Sequence, residues 1–305
     1  MNMNLTAQQL EIRDLLREKD AILLAHYYQR GEIQDIADIL GDSLALSMEA
    51  ARTEARVLVF AGVHFMAESA SILSPDKTVL LPKPDAGCPL ADTIAPEALL
   101  AAKQDHPRAA VVTYINSSAA IKALSDVCCT SANAVKIVNS LKDAEEILMI
   151  PDGNLARYVS GKTDRKIIPW GGSCPIHDRL AAAEVLAMKA KHPRAVFAAH
   201  PECRPEVLAL ADYVGSTTGI IRYAGQDSVT EMLVGTEQGV LHQLRKQNPG
   251  KTFIPASEQM LCEDMKRITL MDIRDSLREM KHVVKVPDEV RIPAKRALDR
   301  MLSLS

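Results

Sequence analysis

The chain has 305 residues, which suits two or three domains better than a single core. Apolar residues make up 47% and charged residues 25%, an ordinary globular balance, but aromatics are only 4%, so the core must be built from Leu, Ile, Val, Ala and Met. Net charge is −3 with no long run of one sign, and no apolar stretch nears the roughly 20 residues that span a bilayer, so neither a nucleic-acid nor a membrane partner is expected.

The first twenty residues are polar and charged, unlike a signal peptide, and the expected location is cytoplasmic. Next comes ILLAHYYQRGEIQDIADILGDSLALSMEAA (22–51). It has an apolar run, a polar triplet (His26-Tyr27-Tyr28), a helical pattern to Asp38, and a hydroxyl, Ser43, five residues later. RVLVFAGVHFMAE (56–68) reads as buried strand, turn and helix, with His64 and Glu68 as site candidates at the strand's end. KTVLLPKPDAGC (77–88) reads as one more strand and a loop ending in Cys88.

The same order then recurs twice. VVTYINSSAAIKALSDVCCTSANAVKIV carries the triplet Tyr114-Ile115-Asn116, then Asp126 and Ser131. EILMIPDGNLARY (146–158), with Arg157 as a possible anion partner, and RKIIPWGGSC follow, ending at Cys174. VFAAHPECRPEVLALADYVGSTTGIIRYA (196–224) carries His200-Pro201-Glu202, Asp212 and Thr217, and EMLVGTEQGVLHQ and KTFIPASEQMLC end at Cys262. The three terminal cysteines stand 86 and 88 residues apart. One frame that places triplet, hydroxyl and cysteine in every copy argues for a triplication.

Each copy reads β-α-β-α-β-α-β, with short apolar runs alternating with helices, the pattern of parallel strands and crossover helices. The expected fold is α/β: three αβα domains with parallel four-stranded sheets, related by pseudo-threefold symmetry around a central cavity. The expected divisions are 1–90, 91–175 and 176–305, the last including C-terminal helices (266–305) that pack back on the body.

Ligands of open parallel sheets bind beyond the carboxyl ends of the strands, where every recurrent polar feature here lies. Six cysteines (Cys88, Cys128, Cys129, Cys174, Cys203 and Cys262) without a signal peptide do not read as a disulfide framework. Convergence of Cys88, Cys174 and Cys262 would give three thiolates and leave one metal position open, as a Lewis-acid catalyst requires. A [4Fe–4S] cluster with one free iron fits, and a zinc site of Cys88, Cys174, Cys262 and His177 is the alternative. Gly171 and Gly172 are expected to bring the Cys174 loop's backbone close to a bulky cofactor.

Around such a centre His26 and His200 are candidates to hold or move protons. Tyr28, Tyr114 and Asn116 are orienting donors, and Glu202 is a candidate base. Ser43, Ser131, Ser216 and Thr217 sit where helices should begin and could bind carboxylate or phosphate groups, or simply cap. His106, His192, His242 and His282 read as structural or surface residues.

Taken together, AHYYQ (25–29), GDSLALS (41–47), GVHFMAE, CPLAD (88–92), YINSSA (114–119), CTSANAVKIV (129–138), PDGNLARYV (151–159), WGGSCPIHD (170–178), HPEC (200–203), VGSTTGII (214–221), GTEQGVLHQL (235–244) and CEDMKRITL (262–270) resemble the quinolinate synthase family, from about residue 20 to 270. The resemblance implies a transferase of de novo NAD biosynthesis that joins iminoaspartate to dihydroxyacetone phosphate, giving quinolinate, phosphate and water. It implies one [4Fe–4S] cluster on Cys88, Cys174 and Cys262, with one iron open as Lewis acid for dehydration. It also implies substrate contacts from His26, Tyr28, Ser43, Tyr114, Asn116, Ser131, His177, His200, Glu202, Ser216 and Thr217, with Tyr28, Glu202, His26 and His200 catalytic. Functional coupling to L-aspartate oxidase or aspartate dehydrogenase follows from it too. Glu263-Asp264 after the last cysteine departs from the family's frequent Pro-Asn. The competing classes are a non-enzymatic cluster sensor, an aconitase-type hydro-lyase and a metabolite-binding protein.

Overall fold

A computed structural model describes residues 5–305, so the first four residues of the polar N-terminal stretch lie outside it. The described chain forms two compact units, residues up to 88 with 263–292, and residues 89–262 with 293–305.

The first unit holds one sheet of β1 (Ala21–His26), β2 (Ile39–Gly41), β3 (Val57–Ala61) and β4 (Thr78–Leu80), in the order β2-β1-β3-β4 and parallel at every pairing. β3 reads VLVFA and is buried along its whole length, as expected of a strand covered on both faces. Helix Ala7–Glu18 opens with a capping box, in which Gln9 N–H donates to the Thr6 hydroxyl and Thr6 N–H to the Gln9 side chain. It packs against helix Leu270–Glu279, which begins with the same device at Thr269 and Asp272.

The second unit holds two sheets. β5 (Ala109–Tyr114), β6 (Val127–Cys129), β7 (Glu146–Ile150) and β8 (Ile167–Pro169) run in the order β6-β5-β7-β8. β9 (Val196–Ala199), β10 (Tyr213–Val214), β11 (Glu231–Gly235) and β12 (Thr252–Pro255) run in the order β10-β9-β11-β12. Both are parallel throughout. Helix Asp288–Ser303 has Pro293 at the division between the units, and its Ala294, Ala297, Leu298 and Met301 are buried. Beyond Pro293 the chain returns to the second sheet's loops, where Arg300 donates to the Asp126 carbonyl and Asn133 to the Ser305 hydroxyl.

The three sheets are therefore α/β and share one strand order, as the sequence frame requires. The recurrent aspartates explain part of that frame. Asp38, Asp126 and Asp212 each accept the backbone N–H of a residue fifteen positions earlier in the first strand of the copy, from Leu23, Val111 and Phe197 at 2.7–2.8 Å. Each aspartate's own N–H donates back to that residue's carbonyl. The pair of bonds fixes where the second strand joins the first, and each triplet is the continuation of that first strand. No helix among the described residues is long and apolar enough to cross a membrane.

Candidate active site

In the first unit β1 ends at His26, which is buried. Tyr28 N–H donates to His26 Nδ1 at 3.1 Å, and the two rings meet edge to face with centroids 4.5 Å apart. Nδ1 is therefore an acceptor, which puts the neutral ring's proton on Nε2. The third copy folds alike: Glu202 N–H donates to His200 Nδ1 at 3.4 Å, leaving Nε2 to donate to Ser131 Oγ at 3.1 Å.

The second unit gathers a buried polar cluster. Glu202 Oε2 lies 2.6 Å from His177 Nδ1, and the His177 and His200 rings stack with centroids 4.6 Å apart. His177 Nε2 lies 2.9 Å from Thr236 Oγ1, and its Nδ1 is 3.3 Å from Cys174 Sγ. Nδ1–H donating to the carboxylate leaves Nε2 to accept from the threonine hydroxyl. Burial alone would push the Glu202 carboxyl up, but the His177 and His200 rings, with hydrogen bonds from His177 and Tyr114, outweigh it and hold it down at about 2. A carboxylate held so firmly is a weak base by itself. What it does well is fix the His177 ring and stabilise positive charge there, so that His177 Nε2 becomes the atom able to take a proton.

The thiols divide into two classes. Cys128, Cys129 and Cys203 are fully buried, whereas Cys88, Cys174 and Cys262 are half-buried on loops. Cys174 and Cys262 pack against the same apolar cluster of the third sheet, which includes Phe197, Leu233 and Met260. Cys174, His177 and Glu202 bring one donor atom each to within 4.8 Å of one another, a set that could hold a metal ion. Half-exposed thiols with an imidazole and a carboxylate at hand are donors suited to iron or zinc.

The expected hydroxyls separate. Ser216 is an N-cap, its hydroxyl accepting from Gly219 N–H. Ser43 and Thr217 are each the first helical residue, and the cap of the Ser43 helix is Asp42. Ser131 lies in the turn before helix Ala134–Ser140 and partners His200. Asn116 Oδ1 is buried with no partner among the described residues, a polar atom ready for a ligand. His64 is half-exposed on its helix, 3.9 Å from Glu68. Arg157 donates to Asn154 Oδ1 at 3.2 Å. His106 and His192 pair with Glu146 and Glu231 at 3.2 and 2.8 Å, as structural residues should.

Gly171 and Gly172 differ in their surroundings. A side chain at Gly171 would meet nothing within 4 Å, but one at Gly172 would lie 2.3 Å from Thr93 Oγ1 and 2.5 Å from the Pro151 carbonyl. What crowds Gly172 is the protein's own backbone and Thr93.

Several residues that shape the site escaped sequence reasoning. Asn154 donates to Asp178 Oδ1 at 2.9 Å and to the Glu202 carbonyl at 3.1 Å, so it ties the Glu202 loop to the short helix Pro175–Asp178 that carries His177. Arg204 closes the same network on Asp178 at 2.8 Å. Asp152 and Glu237 stand at the same place in copies two and three, two residues after the third strand. That shared position in the repeat frame is the signal that could have found them.

Residues 10–303 match the family model described as Quinolinate synthetase A protein. The chain is 58% identical over 294 residues to the quinolinate synthase of Geotalea uraniireducens, a match that covers 96% of each chain. It is 56% identical over 293 residues to quinolinate synthase 1 of Methanosarcina acetivorans and 56% identical over 294 residues to the quinolinate synthase of Geobacter metallireducens, again covering 96% of each.

Proposed function

The chain belongs to the quinolinate synthetase A family, and from that premise we propose that it is a quinolinate synthase of NAD biosynthesis that condenses iminoaspartate with dihydroxyacetone phosphate, releasing phosphate and water. The observation that carries the reading furthest is the buried chain Tyr114–Glu202–His177, stacked on His200 and continued to Ser131. Such a chain suits a reaction in which several protons move within a site that must keep water from a reactive imine.

In this reading residues 1–90, 91–175 and 176–305 are three copies of one unit, and Cys88, Cys174 and Cys262 hold a [4Fe–4S] cluster. Bound there, the cluster supplies through its open iron a Lewis acid that helps hydroxyl groups leave as water. The chain's own residues do the rest. His177 Nε2 takes a proton and Glu202 stabilises the resulting charge. His200, through Nε2–H and Ser131, donates to a substrate oxygen. Asn116 Oδ1 accepts from a substrate N–H or O–H. His26 and Tyr28 bind and relay protons, and Ser43, Ser216 and Thr217, at helix starts, receive carboxylate or phosphate oxygens. The source of iminoaspartate would be an oxidase or dehydrogenase acting on aspartate.

The test is direct. Protein purified without oxygen and loaded with iron and sulfide, given iminoaspartate and dihydroxyacetone phosphate, should form quinolinate, measured by chromatography against a standard. Iron-loaded protein that forms none, or that turns over a simple hydroxy acid instead, would reject the function.

A further inference from the structure

Two buried carboxylates have no part in the chemistry above. Asp152 and Glu237 are 1% and 0% exposed and follow β7 and β11 by two residues in copies two and three. Each divides its two oxygens in the same way. Asp152 Oδ1 accepts the Leu155 N–H at 2.7 Å and caps helix Gly153–Ser160, while Oδ2 accepts the backbone N–H of Cys174 at 3.1 Å. Glu237 Oε2 accepts the Gly239 N–H at 2.7 Å, while Oε1 accepts the backbone N–H of Cys262 at 3.2 Å.

A second bond accompanies each. The N–H of the residue after the carboxylate, Gly153 or Gln238, donates to the carbonyl two residues before the cysteine, Gly172 or Met260, at 2.8 and 2.9 Å. The first copy keeps this backbone bond, from His64 N–H to the Ala86 carbonyl at 2.8 Å, but has Val63 where the acid would stand. Capping alone does not call for an acid, since a serine or asparagine supplies one acceptor at far lower desolvation cost. A buried carboxyl group offers two acceptor oxygens in one fixed fork, which suits it to holding two N–H groups at once.

We propose that Asp152 and Glu237 are positioning residues that clamp the backbone amides of Cys174 and Cys262 and so preset where these two thiols stand before any cofactor is loaded. The clamp belongs to copies two and three. Its function in cofactor retention rests on the reading that these cysteines are cluster ligands, but the clamp itself is a property of the apoprotein.

The experiment reads both. Hydrogen exchange of the wild-type apoprotein should show protected amides at Cys174 and Cys262, and exchange at the rate of unstructured peptide at either position would overturn the clamp without any variant. In Asp152→Asn the Cys174 amide should exchange about tenfold faster or more while Cys262 is unchanged, and Glu237→Gln should do the reverse. Ser118→Ala, which removes the cap of helix Ala119–Ala123 in the same unit, should move neither. Equal effects of all three variants would make the two acids ordinary structural groups and reject the proposal. With iron and sulfide loaded, both acid variants should lose iron to a chelator about 10–100-fold faster than wild type. Wild-type protein that takes up no cluster would defeat the cluster reading and leave the clamp standing. Wild-type and variant proteins that release iron equally fast would defeat the retention role and leave the cluster standing.

Discussion

The thiols of β6 and the thiols of the loops are the same chemical group in opposite settings. Cys128 and Cys129 lie in a strand with neighbours on both faces, and burial pushes Cys128 up to about 12 despite the pull of Lys122. Cys174 and Cys262 stand on turns beyond strand ends, half-buried, with backbone amides held by acids. A strand interior makes a cysteine a small hydrophobe. A loop end supported from beneath by buried polar groups can make it a ligand.

The largest test of that contrast is substitution. Cys174→Ala should abolish the broad visible absorbance of an iron–sulfur cluster and, with it, Lewis-acid assistance of several kcal/mol, so activity should fall by roughly 10³-fold or more. Cys128→Ala should keep the absorbance. The reverse pattern would show that the two settings have been assigned the wrong way round. Alkylation of the folded apoprotein separates the same thiols by rate. A thiol held at about 12 is neutral across the physiological range, so Cys128 should stay unmodified at pH 8 while Cys174 and Cys262 react. Raising the pH should begin to release Cys128 only near its shifted value or where the protein unfolds.

The polar support of the loop region is tested next. Glu202→Gln should lower kcat by about 10²-fold or more, because His177 loses the charge that stabilises its protonated form. It should also change the acid stability in a defined direction. The Glu202 carboxyl is lowered from 4.5 to about 2, so its ionised form contributes fully to stability above about 4.5, and that contribution is lost as pH falls through about 2. The stability gap between wild type and Glu202→Gln, measured by denaturant titration, should therefore be level above pH ~5 and close progressively below it. A gap that widens on acidification would contradict the environment described for Glu202.

The sequence revealed three four-stranded parallel sheets and left much of the support hidden, for a physical reason. Strands buried on both faces are written as apolar runs, and the recurrent aspartates, hydroxyls and cysteines fall in one frame, so the three sheets were legible. His200 and Glu202 were legible as the end of a first strand. The resemblance put His177 among the substrate residues, but that it would stack on His200 and meet Glu202 was not legible, because the residues come from turns whose approach depends on packing. Asp152, Asn154 and Glu237 were harder still. Each resembles an ordinary turn or cap residue in sequence, and its second hydrogen-bond partner lies 22 to 48 positions away.

The smallest effect tests the loop's packing rather than its chemistry. Gly153 begins its helix so close to the Cys174 loop that a β-carbon would lie 2.4 Å from the Trp170 carbonyl and 3.3 Å from Arg157 Nη1. Backbone cannot step aside as a flexible side chain can, so Gly153→Ala should cost about 1–3 kcal/mol of stability through overpacking. Gly171, in the same loop, has nothing within 4 Å of the added carbon and no left-handed backbone to require glycine. Gly171→Ala should leave stability unchanged or raise it by up to ~1 kcal/mol, since alanine restricts the unfolded chain. Denaturant midpoints for the pair, read at constant slope, decide the matter. If Gly171→Ala is the costlier change, then that glycine is kept for a close approach by something other than this chain, and the loop's glycines would have to be re-read as a cofactor's cradle.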